Sequence, residues 1–147
     1  MGKWMRRSGF AAAVMCAMLA LAVPSLASAA PMQPSVNATH NGTWNATALT
    51  NESVDTQGYT TRNKASGCVD GVLTDAHLSF KLIWFHGGRD TVLWRSRIYT
   101  TGVRHCSPTK TIKNPPHGPV VFLRITIHCQ NPPIPCQGNG AWSIKTN

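Results

Sequence analysis

A period-two pattern, with one side of each stretch almost wholly apolar, limits what this chain can fold into more than any other feature. In Val120–Cys129, the residues Val121, Leu123, Ile125, Ile127 and Cys129 fall on one side, and Val120, Phe122, Arg124, Thr126 and His128 on the other. Over 77–85, Leu78, Phe80, Leu82 and Trp84 alternate with His77, Ser79, Lys81, Ile83 and Phe85. Over 91–101, Val92, Trp94, Ser96, Ile98 and Thr100 alternate with Leu93, Arg95, Arg97 and Tyr99. A period of two marks a strand with one buried face, and nothing after the N-terminal stretch keeps helical spacing. Further candidate strands are 43–50, 59–63 and 141–146, with a weaker one at 69–73, separated by Gly, Pro and Asn clusters. The expectation is an all-β fold: an antiparallel two-layer β-sandwich of about 6–8 strands, with a small β-barrel as the alternative.

The first residues read as an address. Lys3, Arg6 and Arg7 lead an apolar run over 10–23, Pro24 ends it, and Ala27-Ser28-Ala29 offers a small-residue cleavage site. This is the pattern of a secretory signal peptide at 1–29, and the run is too short to span a bilayer. Sec export fits better than a twin-arginine route, and Cys16 lacks the small-residue context of a lipid anchor. Segment 30–42, rich in Pro, Asn, Ser and Thr, reads as a flexible arm, and 43–147 as a single β domain. Cleavage after Ala29 leaves 11 of the 14 Lys+Arg against 5 Asp+Glu, a net charge of about +6.

Four cysteines remain after cleavage: Cys68, Cys106, Cys129 and Cys136. An even number in a small exported domain implies two disulfides, and the intervals lack the C-x-x-C spacing of a thiolate metal site. Three pairings are open. The Pro-rich segment 130–135 is a stiff loop suited to a clip at its base, which favours Cys129–Cys136 and hence Cys68–Cys106.

Alternation also predicts a register. A two-residue Gly87-Gly88 turn would place Arg95 and Arg97 on the side of Leu78 and Phe80, burying charge. A loop of odd length instead pairs Trp84 with Val92, Leu82 with Trp94 and Leu78 with Ile98, so burial is expected to overrule the turn preference. Lys81 then opposes Arg95, Ser79 opposes Arg97 and His77 opposes Tyr99. The outer face becomes cationic, and like charges across strands need solvent or an anionic partner. Lys81, Arg95, Arg97, Tyr99, Arg124 and His128 are the candidate binding residues for a polyanion or cell-envelope component, with Tyr99 and Phe85 as stacking groups. Ile83, Phe85 and Leu93 make one end of this face too apolar for a purely solvated surface.

Other chemistry is less well marked. His77, His105, His117 and His128 could supply the acid/base pair of a small basic hydrolase of ribonuclease type, with Arg95 or Arg97 as the cation. No spacing singles out two of them, and the only glutamate, Glu52, lies in a polar stretch, so no catalytic residue is assigned. Asp75 and His77, with Asp70 nearby, form a weak zinc pattern; no metal or cofactor is assigned. Trp44, Trp84, Trp94 and Trp142 fall on inward positions, as core residues do; a sugar-stacking platform would require two or more exposed in one plane. Asn37, Asn41, Asn45 and Asn51 head Asn-x-Ser/Thr triplets, which carry meaning only in a eukaryotic secretory route. A secreted, non-enzymatic binding module is the leading expectation. A hydrolase, or a protein inhibitor acting through loop 131–137 with Ile134 at its tip, follows.

Overall fold

The computed structural model describes residues 38–100, 103–113 and 119–147. The expected signal peptide at 1–29, and His117, lie outside them. Eleven strands follow one another: β1 Ala38–Ala48, β2 Glu52–Asp55, β3 Tyr59–Thr60, β4 Lys64–Val69, β5 Val72–Thr74, β6 Ala76–His86, β7 Arg89–Arg95, β8 His105–Cys106, β9 Lys110–Thr111, β10 Val120–Cys129 and β11 Cys136–Thr146. Every pairing is antiparallel. One sheet has the order β1-β11-β4-β8, with β5 on β11 and β9 on β4; the other has β2-β10-β6-β7, with β3 on β10. The sheets do not close into a barrel, so the sandwich is the architecture.

The core lies where alternation puts it. Leu78, Phe80 and Leu82 of β6 and Val121, Leu123, Ile125 and Ile127 of β10 are at most 1% exposed. They meet Trp44, Ala65, Val69, Trp142 and Ile144 of the opposite sheet in one apolar cluster. At about 25 cal/mol per Å² of apolar surface removed from water, burying each large side chain stabilises by roughly 1.5–3 kcal/mol. Trp44 and Trp142 are core residues whose indole N–H groups donate to the carbonyls of Asp70 (2.7 Å) and Thr43 (3.1 Å). Trp84 and Trp94 are only half-buried at the margin of this cluster. Both disulfides pair as expected, Cys68–Cys106 and Cys129–Cys136.

The β6–β7 hairpin satisfies the turn preference and the burial preference together. Gly87 and Gly88 have φ of +54° and +76°, and His86 pairs with Arg89, so the tight two-residue turn is present. A bulge then intervenes. Ile83 opposes Val92 but Leu82 opposes Trp94, which leaves Leu93 as the extra residue. One inserted residue reverses the faces of everything beyond it. The expected pairs Leu82–Trp94 and Lys81–Arg95 therefore form, whereas Trp84 pairs with Thr91 and not with Val92.

A second irregularity corrects the placement of Tyr99. Ser96 still meets Phe80 through backbone hydrogen bonding, but Tyr99, not Ile98, bridges to Leu78. With one more residue taken up between them, Ile98 turns out to solvent at 61% exposure and Tyr99 turns inward. Its ring packs on the core margin and stacks on His105, with centroids 3.5 Å apart. Tyr99 is thus not part of the cationic face.

The segment read as an arm also differs. Ala38–Gly42 is already ladder, paired with Trp142–Thr146, and His40 stacks on Tyr59 at 3.8 Å. The polar side chains there, Thr39 and Asn41, belong to the exposed half of an edge strand that continues into the expected strand from Thr43. Likewise β11 begins at Cys136 and runs through Gly138-Asn139-Gly140, which read as a turn. A Cβ on Gly140 would lie 2.0 Å from the Asp70 carbonyl oxygen, so glycine there permits a close backbone approach and does not break the strand.

Candidate anion-binding face

The outer surface of the sheet β2-β10-β6-β7 is built of rungs, each rung one residue per strand on the same face. From the hairpin end they read Val120, Phe85 and Asp90; Phe122, Ile83 and Val92; Asp55, Arg124, Lys81 and Arg95; Ser53, Thr126 and Ser79; His128 and His77. Same-face rungs are about 7 Å apart along a strand and neighbouring strands about 4.8 Å apart. The face therefore grades from aromatic, through a charged row, to hydroxyls and imidazoles.

Arg124 holds the middle of that row. Its Nε and Nη2 donate to the two carboxylate oxygens of Asp55 at 2.7 and 2.6 Å, and its Nη1 donates to Asp90 at 2.9 Å. The guanidinium carbon also lies 5.6 Å from the Phe122 ring centroid, within cation–π range. Hydrogen bonding to Asp55 raises its pKa above the ordinary arginine value, against a smaller opposing effect of burial. Arg124 is therefore a cation already paired within the protein. Both acids come from strands with little sequence signal at that point, the short β2 and the first residues of β7.

Lys81 and Arg95 remain in the same row, directly opposed across β6 and β7. Among the described residues neither they nor Arg97 has a carboxylate partner. Arg95 and Arg97 are exposed and Lys81 is half-buried; Arg97 lies two residues past Arg95, beyond the end of β7. Like charges on facing residues are unfavourable by several tenths of a kcal/mol or more, a cost that an anion at this spot relieves.

The last rungs join two imidazoles to a serine. His128 opposes His77, and His128 Nε2 lies 2.7 Å from Ser79 Oγ. Burial pushes the His128 pKa below the usual 6.5, and the neighbouring His77 and Lys81 push it the same way. His128 is thus uncharged at neutral pH and gains charge only on acidification. The Ser79 contact had no signature in the sequence, because it joins residues 49 apart.

Between Arg124 and the hairpin end lies an open groove of about 370 Å³ lined by Asp55, Thr56, Phe85, Asp90, Phe122 and Arg124. The other described histidines are dispersed: His105 stacks on Tyr99, His40 on Tyr59, and His86 Nε2 meets Thr91 Oγ1 at 3.1 Å. Asp70 holds Arg104 at 3.6 Å and accepts from the Ala141 N–H at 2.8 Å, joining neighbouring segments. Among the described residues no group of three His, Cys, Asp or Glu is arranged to hold a metal ion. No protein-family model, curated protein or solved structure matches the chain.

Proposed function

We propose that this protein is an exported, non-enzymatic binding module that engages an anionic partner through Lys81, Arg95 and Arg97. The observation that carries the reading is the contrast within one row: Arg124 is satisfied by two carboxylates, while the cations beside it have none among the described residues. A polyanion supplies the missing counter-charge, and the flat sheet presents the cations without a cleft. Export is supported by the leader at 1–29 and by two disulfides, which persist in oxidising compartments. Among the described residues no helix is long and apolar enough to cross a membrane. N-terminal sequencing of secreted protein is expected to start at Ala30. Retention on heparin-agarose is expected to fall sharply in Arg95→Glu with Arg97→Glu; retention equal to the parent refutes the reading.

A second reading has one specific observation in its favour. His77 and His128 are directly opposed with Lys81 close enough to depress His128, which is the residue set for acid/base cleavage of a phosphodiester. Incubation with RNA between pH 4 and 9 decides it, since no cleavage across that range removes this reading. Loop 130–135 is exposed, with Ile134 at 55%, and an inhibitor role through it predicts that Ile134→Ala weakens a protein partner.

A further inference from the structure

We infer that the groove at the hairpin end of this face is a subsite for an uncharged sugar ring, and that the anionic partner is an acidic polysaccharide. The inference rests on the anion-binding reading and narrows its ligand. Phe85 is 44% exposed at the groove. Ile83, one rung further along the same outer face, is fully covered. Arg124 lies over the Phe122 ring, which leaves Phe85 as the ring open to a ligand. A phenyl ring facing water beside fixed polar groups matches the C–H face of a pyranose, whose hydroxyls project around its rim.

The polar groups are of the right kind. Asp55 and Asp90 are held in place by Arg124, and each carboxylate oxygen has lone pairs beyond those used. Acceptors in the same groove as an exposed ring suit a ligand rich in hydroxyl donors. A nucleic acid base also stacks on phenyl, but every nucleotide brings a phosphate toward these two carboxylates. An acidic polysaccharide in which charged and neutral rings alternate can set a neutral ring in the groove. Its carboxylate or sulfate groups then lie along Lys81 and Arg95, one and two strands away from Arg124, within about 10 Å.

The test compares two probes, hyaluronan oligosaccharides, in which an uncharged ring alternates with a carboxylate-bearing one, and a single-stranded oligo-dT, by titration calorimetry with the full secreted chain. Phe85→Ala is expected to weaken hyaluronan binding about tenfold while oligo-dT stays within about twofold, and Phe85→Tyr to restore the parent affinity. Retained oligo-dT binding shows that the variant is folded. Equal loss of both probes, a larger loss of oligo-dT, or no change in either overturns the sugar subsite. Arg95→Glu is expected to weaken both probes. If it weakens both while Phe85→Ala changes neither, anion binding stands and the sugar subsite fails; if Arg95→Glu changes neither, the anion-binding reading itself fails.

Discussion

Removing the two carboxylates that hold Arg124 should convert a satisfied cation into a binding one. In Asp55→Asn with Asp90→Asn, the three ionic hydrogen bonds at 2.6, 2.7 and 2.9 Å lose their charged acceptors. The pairs are partly solvated, with side-chain exposures of 32% to 42%, so the expected cost is about 0.5–2 kcal/mol in all. The parent presents Lys81, Arg95 and Arg97, and the variant adds Arg124. For a single-stranded oligonucleotide the salt slope is about −0.7 per neutralised phosphate, which predicts about −2.1 for the parent and about −2.8 for the variant. Between 50 and 200 mM salt the parent should lose affinity about 18-fold and the variant about 50-fold. Fluorescence anisotropy with oligo-dT at four salt concentrations measures both slopes, with a thermal melt to record stability. A slope that does not change refutes the claim that Asp55 and Asp90 take Arg124 out of the binding surface.

Three other outcomes follow from the same structure. His128 has a folded pKa below its ordinary 6.5, so its contribution to stability is present above that value and is lost as pH falls from 6.5 toward the lower folded pKa. Denaturant midpoints should therefore drop between pH 7.5 and 5, and by less in His128→Gln. The two disulfides close loops of unequal separation, 38 and 7 residues, for chain-entropy contributions of about 4 and about 2.5 kcal/mol. Urea unfolding of the paired Cys→Ala variants should rank them in that order. Leu123, fully buried opposite Leu82, should cost about 2–5 kcal/mol when replaced by Ala, read from the same urea curves.

Much of this was readable from local pattern. The inward set of β6 and β10 is the apolar half of the alternation, and the Pro-rich segment between Cys129 and Cys136 marked its own closure. The misread elements share one cause. The Asn/Thr edge of β1 and the glycines of β11 look like loop in isolation, because what makes them strand is the partner each finds about a hundred residues away. Tyr99 and Ile98 exchanged faces because one extra residue is absorbed between Ser96 and Tyr99, and the inward Tyr99 stacks on His105, a neighbour that no local pattern reveals. Leu93 shows the same device at the hairpin, where a bulge let the glycine turn and the buried register coexist.

The order of residues along the chain determined which side chains leave water, since a strand's period of two is a local property and burial of Leu and Ile dominates the free energy. Which charges remain open to a ligand was decided only in three dimensions. Arg124 meets Asp55 and Asp90 across separations of 69 and 34 residues, while Lys81 and Arg95 meet each other. Strand order places them so. Coulomb pairing acts through space over a few ångströms, and no periodicity along the sequence encodes which acid reaches which base.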